Sequence, residues 1–392
     1  MATVQTFKLF NTNSSFYQEE HDIFRKSLRA FLDKEARPYF NQWEREGIVP
    51  RSFWRKMGEH HFLCPWLESD YGGLETDFGF SVVLSEELER IGSGLSGISL
   101  HSDIIAPYIS AFGTKEQKEK YLPKIAKGEL ILAIAMTEPG AGSDLANIKT
   151  RAIKKGNQYI VNGAKTFITN GYQADLYIVA CKTDPNVVPA HKGMSLLLIE
   201  RNTPGFEISR KLEKLGLRSS DTAELFFNDA IVPEENLIGE EGHGFRYLME
   251  KLQQERLICT LNSQVAAEQM LQETITYIRE REVFGQKVSQ FQNTQFKVAE
   301  MATEIEIGRT FVNNLISKHI AGEKIVTEVS MAKYWVAEMA KRIAAECLQL
   351  HGGYGYMEEY TIARRFRDIP VTSIYGGSNE IMKKIIAKNI GL

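Results

Sequence analysis

Cysteine is scarce in this sequence and shows no pairing pattern. The 392 residues include only Cys64, Cys181, Cys259 and Cys347, which stand far apart. Without a CxxC pair or a close cluster, this spacing fits neither a zinc site nor a disulfide framework, and it favours a reducing compartment. No P-loop and no HExxH motif occurs either. Nucleotide hydrolysis and zinc peptidase activity therefore lack support, and no metal site is expected.

Long apolar runs and a large net charge are also missing. No stretch reaches about 18 apolar residues, and the formal net charge is −3. The sequence thus indicates no membrane insertion and no general attraction to nucleic acid or anionic lipid. The first fifteen residues, MATVQTFKLFNTNSS, show no signal or transit peptide pattern. We expect a cytoplasmic protein if the source is bacterial, or a mitochondrial matrix protein if this is a processed eukaryotic chain.

One apparent nucleotide-binding motif is rejected by its context. The segment GSGLSG, residues 92–97, satisfies GxGxxG. The dinucleotide motif requires glycines that follow a buried strand and open a helix, whereas the preceding VVLSEELERI has a helical pattern. We therefore interpret residues 92–97 as a flexible loop between helices.

The apolar pattern divides the chain into three parts. Residues 1–125 and 240–392 show helical spacing, whereas residues 126–239 consist of short apolar or alternating runs. Within this middle part, Asn162-Gly163 and Asn170-Gly171 predict tight turns. The predicted fold class is α+β multidomain, with an N-terminal α-helical domain (1–125), a middle β domain (126–239) and a C-terminal α-helical domain (240–392).

The most informative stretch is AIAMTEPGAGSDLANIKT, in which an apolar strand leads directly into a glycine-containing loop. Gly140 and Gly142 would let the backbone approach a flat ligand or a phosphate closely, while Thr137 and Ser143 supply hydroxyls. Downstream, KTFITNG places aromatic Phe167 two residues from a threonine hydroxyl, on one face of a strand.

Together with these segments, REVFGQKVSQFQ, LQLHGGYGYMEEY and IYGGSNEI make the chain resemble an acyl-CoA dehydrogenase over essentially its whole length. The resemblance implies a middle β-barrel-like domain, a C-terminal four-helix bundle and non-covalently bound FAD. It also implies a homotetramer, built as a dimer of dimers because each FAD touches two subunits. Electron-transfer flavoprotein is the implied acceptor, and fatty acid β-oxidation is the implied pathway.

The resemblance also assigns cofactor contacts. Thr137 would hydrogen-bond a flavin edge, Phe167 would stand against the ring where many relatives have Trp, and Arg281 of the neighbouring subunit would meet the pyrophosphate. Ser378 and Glu380 would meet the adenosine side. The full implied FAD set is Ile134, Met136, Thr137, Gly142, Ser143, Phe167, Ile168, Thr169, Arg281, Phe284, Gln292, Gln349, Gly352, Gly353, Ser378 and Glu380.

The catalytic base is not where most of the family has it. Abstraction of the weakly acidic α-proton of an acyl-CoA thioester needs a carboxylate, usually a Glu just after the Tyr of the last turn. After Tyr375 this sequence has Gly376, whose N–H could still polarise the thioester carbonyl. The long-chain and isovaleryl branches carry the base on the first long C-terminal helix, which implies Glu255 here.

Helical spacing supports Glu255 independently. Leu248, Leu252, Glu255 and Cys259 are spaced 4, 3 and 4, so Glu255 shares a stripe with apolar side chains. Burial raises the pKa of a carboxyl toward the range useful for a general base. The alternative is a surface Glu paired with Lys251.

The implied substrate contacts are Ser143, Arg256, Tyr375 and Gly376. By resemblance Arg256 would face the adenine-phosphate part of CoA; the alternative is a local brace or an intrahelical ion pair.

The predicted reaction is FAD-dependent dehydrogenation of a fatty acyl-CoA to the trans-2-enoyl-CoA, with hydride passing to flavin N5. Alternatives are a branched short-chain, isovaleryl-type dehydrogenase or an acyl-CoA oxidase. A nitroalkane-oxidising relative would use an Asp base, and a non-enzymatic helical scaffold conflicts with the intact cofactor motifs.

Overall fold

The computed structural model describes residues 16–392, so the N-terminal stretch analysed for targeting signals lies outside it. Within that range, no helix is both long and apolar enough to cross a membrane. The chain forms two compact units. The sheet unit comprises Ser27–Leu84 and Gly94–Glu255; the helical unit comprises the chain up to Lys26, Ser85–Ser93 and Arg256–Leu392.

Helices dominate both ends of the chain, as the sequence predicts. Thr114 begins α7 with a capping box, in which its side chain accepts from the Gln117 N–H and Gln117 bonds back to the Thr114 N–H. The helices are α1 (Glu19–Glu35), α2 (Phe40–Glu46), α3 (Arg51–Glu59), α4 (Phe78–Ile91), α5 (Ser96–Ser99), α6 (Ala106–Phe112), α7 (Lys115–Ala126), α8 (Gly244–Glu280), α9 (Gln292–Ile320), α10 (Val326–Leu350), α11 (Thr361–Asp368) and α12 (Asn379–Asn389).

The sheet unit is built on one seven-stranded mixed sheet, with strand order β1-β4-β2-β3-β7-β6 and β5 pairing with β4. Every residue of β4 is buried, as expected for a central strand covered on both faces. The strands are β1 (Leu132–Ala135), β2 (Arg151–Lys155), β3 (Gln158–Thr169), β4 (Leu176–Lys182), β5 (Met194–Glu200), β6 (Phe206–Lys211) and β7 (Thr222–Pro233); β8 (Glu282–Val283) and β9 (Gln286–Lys287) form a separate hairpin in the helical unit.

The turn predicted at Asn162-Gly163 is wrong. These residues lie inside the long strand β3, where the pairing with β7 shifts register between Val161 and Gly163. A Cβ at Gly163 would collide with Thr150, and its φ of 152° disfavours other residues. The glycine therefore marks a β-bulge. The second predicted turn, at Asn170-Gly171, is present, with Asn170 in the left-handed region.

The segment at residues 92–97 follows a helix, as predicted, but it is not a flexible loop. It forms a helical turn at Ser93–Leu95 and then begins α5, with both Gly94 and Gly97 buried. A Cβ at Gly97 would collide with the side-chain oxygen of Asn170, whose Nδ2 donates to the Gly97 carbonyl. These glycines permit close packing rather than phosphate binding.

The helical unit has an ionic core. Arg309 of α9 is buried and donates from Nε and Nη2 to both carboxylate oxygens of Glu268, at 2.7 Å each. Its Nη1 donates to Glu86 at 2.8 Å, and Arg25 pairs with the other oxygen of Glu86 at 2.7 Å. These contacts join α1, α4, α8 and α9 within the unit.

Candidate active site

The predicted site residues divide between the two units, and the unit boundary falls within α8, directly after Glu255. The sheet unit contains Glu255 and the residues predicted to meet the flavin ring, from Ile134 to Thr169. The helical unit contains Arg256 and all candidates that follow it.

In the sheet unit, the loop after β1 lies beside the end of β3. The N–H of Thr166 donates to the carbonyl of Thr137 at 3.0 Å, which brings Thr137 close to Phe167 and Thr169. Thr137 and Thr169 are partly exposed, and Cβ atoms at Gly140 and Gly142 would meet no neighbour within 4 Å. The loop thus leaves room for a ligand against its backbone.

A buried ion pair fixes this loop. Lys165 donates from Nζ to the Glu138 carboxylate and to the Met136 carbonyl, both at 2.9 Å, and Glu138 also accepts from the N–H of Thr150. Although burial favours the neutral acid, Lys165 and these hydrogen bonds hold the pKa of Glu138 below its ordinary value. Thr137 is therefore flanked by two anchored residues.

Phe167 is an unusually exposed aromatic residue, with 69 % of its surface accessible and a left-handed φ of 59°. Bulky residues rarely adopt this backbone conformation, and such outliers concentrate at binding sites. A flat ligand would cover the ring. Ile134 and Ile168, by contrast, have buried side chains, so only their backbone could contact such a ligand.

Glu255 lies on the buried face of α8, as predicted. Its side chain is only 8 % exposed, and Leu248, Leu252 and Cys259 on the same stripe are buried too. This burial excludes the alternative of a solvated surface Glu. Lys251 instead places its ammonium 5.3 Å from the ring centroid of Phe112.

The segment before α6 is a π-helix, Leu100–Ile105, and it contains the fully buried Asp103. Its carboxylate accepts from the Ser81 hydroxyl at 2.6 Å, and its backbone carbonyl accepts from Nε2 of Gln254 on α8 at 2.6 Å. Burial raises the pKa of Asp103 to about 7. π-Helical turns are frequent at functional sites.

Asp103 should make stability depend on pH. A carboxyl whose pKa is raised on folding stabilises the fold fully below its unfolded pKa, and this contribution is lost as pH rises through about 7. Between pH 5 and 8 we expect the free energy of unfolding of the wild type to fall by roughly 2 to 3 kcal/mol relative to that of Asp103→Asn, which mimics the protonated acid. Thermal midpoints of both proteins across this range measure the difference, with exposed Asp70→Asn as the charge control. Parallel curves would contradict the expectation.

In the helical unit, Gly376 faces Cys259 of α8. A Cβ at Gly376 would lie 3.0 Å from the Cys259 Sγ, and the φ of 63° is one that glycine adopts freely. Burial raises the pKa of the neighbouring Tyr375 well above its ordinary value, with Cys259 and Glu89 adding to the shift. No carboxylate occupies this turn at positions 375–378.

Arg256 is buried beside the same turn. It is 6 % exposed, and a Cβ at Gly377 would lie 4.0 Å from its Nε and Nη2. The Gly377 carbonyl accepts from Nζ of Lys333 at 2.6 Å. Such burial favours the bracing alternative for Arg256. Ser378 caps α12, its hydroxyl accepting from the Ile381 N–H, and Glu380 is exposed in the first turn.

The remaining candidates lie on an exposed part of the helical unit. Arg281 places its guanidinium 5.2 Å from the ring centroid of Tyr354, in the segment that begins with Gly352 and Gly353. No carboxylate in the described part of the chain pairs with it. Phe284, at the tip of the β8–β9 hairpin, is 97 % exposed with a φ of 51°. Gln292 and Gln349 are exposed as well.

Comparison with known proteins identifies the family. The acyl-CoA dehydrogenase N-terminal, middle and C-terminal domain models match residues 18–129, 133–230 and 242–391. The chain is 45 % identical to the long-chain specific acyl-CoA dehydrogenase of Rattus norvegicus over 375 residues, 95 % of this chain and 87 % of that protein. The isovaleryl-CoA dehydrogenase of Pongo abelii is 37 % identical over 94 % and 88 %.

Solved structures that resemble this chain belong to the same family. An acyl-CoA dehydrogenase from Geobacillus kaustophilus matches with a TM-score of 0.96 and 64 % identity, over 97 % of this chain and 100 % of that one. A glutaryl-CoA dehydrogenase from Mycobacterium smegmatis in complex with FADH2 matches with a TM-score of 0.89 and 29 % identity, over 99 % and 96 %.

The chain therefore belongs to the acyl-CoA dehydrogenase family and has its three-domain fold, as the sequence predicted. It is an FAD-dependent oxidoreductase acting on CH–CH donors, in a family of fatty acid β-oxidation whose members are typically tetramers. The exposed Phe167 ring and the open space at Gly142 fit a flat cofactor.

Several residues near the candidate site are not indicated by the sequence. Lys165 stands inside the KTFITNG motif, but nothing in its pattern indicates that it pairs with Glu138. Asp103 and Tyr108 lie in a stretch with a helical pattern, where an acidic residue beside an apolar run is the signal that the sequence offers. Their partners come from distant parts of the chain.

Proposed function

We propose that this enzyme dehydrogenates a long-chain fatty acyl-CoA to the trans-2-enoyl-CoA, with Glu255 as the base that removes the α-proton. The observation that carries the proposal is the buried carboxylate on the apolar face of α8, in a chain with glycine at position 376. The higher identity to the long-chain relative than to the isovaleryl relative supports a long-chain substrate.

The chain's own residues supply binding and proton transfer. Glu255 accepts the α-proton, and its burial keeps water from competing for the carboxylate. The N–H of Gly376 donates to the thioester oxygen, where negative charge develops as the proton leaves. Ser143 and Tyr375 contribute to the substrate site, and Arg256 braces the turn at Gly377.

FAD, when bound, accepts the β-hydrogen as hydride. Thr137, Phe167 and Thr169 would hold the ring, with Met136, Gly142, Ser143 and the backbone of Ile134 and Ile168 beside it. In the assembled enzyme, the neighbouring subunit would contribute a second group of contacts: Arg281, Phe284, Gln292, Gln349, Gly352 and Gly353. The adenosine side would be met by Ser378 and Glu380. Among residues 16–392 no carboxylate pairs with Arg281, which lies over the Tyr354 ring, and Phe284 is exposed, so both side chains are open to a ligand.

Anaerobic titration with acyl-CoAs of graded length tests the substrate assignment, with bleaching of flavin absorbance as the signal. We expect bleaching to be fastest with long straight chains. Preference for isovaleryl-CoA would overturn the chain-length proposal, and rapid reoxidation by O₂ would favour an oxidase.

Electron-transfer flavoprotein is the proposed electron acceptor. The proposed domain boundaries lie at 125/126 and 239/240.

Arg281→Ala should weaken FAD retention and oligomer stability together. The planar guanidinium of arginine can donate two parallel hydrogen bonds to a pyrophosphate. A ligand bound across an interface also stabilises the assembled state. Arg281→Lys should be intermediate, because it keeps the charge but loses the planar fork. Size-exclusion chromatography with absorbance at protein and flavin wavelengths measures both effects.

Exposed Arg279→Ala, two residues earlier on α8, controls for loss of one positive charge at the helix end. A yellow monomeric wild type, or an Arg281→Ala variant of unchanged size and flavin content, would refute the shared-site model.

A further inference from the structure

Tyr108 of α6 carries a buried polar group without an evident structural role. The side chain is fully buried, and its hydroxyl has no hydrogen-bond partner among residues 16–392. A buried hydroxyl that lacks a partner costs stability, so such a group is a candidate for contact with a ligand or a reacting group.

The segment that contains Tyr108 packs along α8 on the N-terminal side of Glu255. Phe112 stacks on Tyr247, with ring centroids 4.2 Å apart, and lies under the ammonium of Lys251. At the other end, Gln254 of α8 donates to the Asp103 carbonyl. The segment from Asp103 to Phe112 therefore runs antiparallel to α8, between positions 254 and 247.

Tyr108 lies between these two contacts and one helical turn from Phe112, so it shares the face that packs on α8. Its ring centroid is 6.3 Å from that of Phe112. Burial raises the pKa of the Tyr108 phenol well above its ordinary value, and the Glu255 carboxylate adds to the shift. The phenol thus stays protonated, as a donor within electrostatic reach of the carboxylate.

We propose that Tyr108 is a positioning residue, whose hydroxyl donates a hydrogen bond to the Glu255 carboxylate in the substrate complex. This inference rests on the proposed role of Glu255. Catalytic hydrogen bonds often shorten only when substrate binds. With one carboxylate oxygen held by the phenol, the other is directed at the α-carbon. The C–H bond breaks, its proton passes to Glu255 and its electron pair remains on the enolate.

The test compares Tyr108→Phe with Tyr159→Phe in the holoenzyme. Tyr159 is equally buried, but its hydroxyl donates to Glu241 at 2.8 Å. For Tyr108→Phe we expect flavin reduction to slow about 10- to 100-fold, as small misplacements of a catalytic group do. The dissociation constant for acyl-CoA should change less than twofold, and the thermal midpoint should not fall. Tyr159→Phe should show the reverse: a lower thermal midpoint with unchanged reduction.

Proton abstraction can be isolated with a 3-thia-acyl-CoA, which loses its α-proton but cannot transfer a β-hydrogen from sulfur. Its anion gives a long-wavelength band against oxidised flavin, and this band should appear more slowly in Tyr108→Phe. Unchanged reduction and band formation in Tyr108→Phe, beside an inactive Glu255→Gln variant, would overturn the role of Tyr108 alone. An active Glu255→Gln variant would overturn the proposed base itself.

Discussion

Glu255→Gln should lower the rate of flavin reduction by an acyl-CoA by about 10²- to 10⁴-fold while leaving FAD and substrate bound. The amide keeps the shape of the side chain and lacks the basic lone pair, and general base catalysis commonly contributes 10²- to 10⁴-fold. Stopped-flow absorbance under anaerobic conditions measures the rate. Titration of the unreacted variant with acyl-CoA measures binding. Exposed Glu250→Gln on the same helix is the matched control.

Near-normal reduction by Glu255→Gln would reject the assignment. A relocated carboxylate, Glu255→Gly with Gly376→Glu, should recover part of the activity if both positions face the same α-carbon. Because a Cβ at Gly376 would approach the Cys259 Sγ at 3.0 Å, recovery should improve when Cys259→Ala is added. The backbone φ of 63° will limit it further.

Arg309→Leu should destabilise the protein by about 3 to 5 kcal/mol, because it leaves two buried carboxylates without their shared cation. Arg309 and Arg25 hold the pKa of Glu86 below its ordinary value despite burial, so Glu86 is charged in the folded protein. Scanning calorimetry should show the thermal midpoint about 5 °C lower.

The control is Arg342→Leu, which breaks the exposed pair with Glu304 and should cost no more than about 1 kcal/mol. Neutralising the carboxylates as well, with Glu86→Gln and Glu268→Gln added to Arg309→Leu, should restore part of the stability. Equal midpoints for Arg309→Leu and Arg342→Leu would show that the buried cluster contributes no more than a surface pair.

Local patterns determined much of this protein. Apolar spacing at 3.6 residues placed α4, α7, α8 and α10, and the apolar stripe through Leu252 and Cys259 correctly predicted a buried face at Glu255. These features depend on neighbours one or two turns away, so the sequence alone contains them. The ordered motifs were also sufficient to place the chain in its family.

Contacts between distant segments were decided only by the tertiary structure. Asn162-Gly163 has the composition of a turn, yet the pairing of β3 with β7 and the proximity of Thr150 make it a bulge. The glycine-rich segment that contains Gly94 and Gly97 was predicted to be a flexible loop, but both glycines are buried in close packing. The Lys165–Glu138 pair and the position of Tyr108 beside α8 join residues far apart in sequence. Burial and hydrogen bonding of this kind arise only when the chain has folded, because no local pattern specifies which distant group will be adjacent.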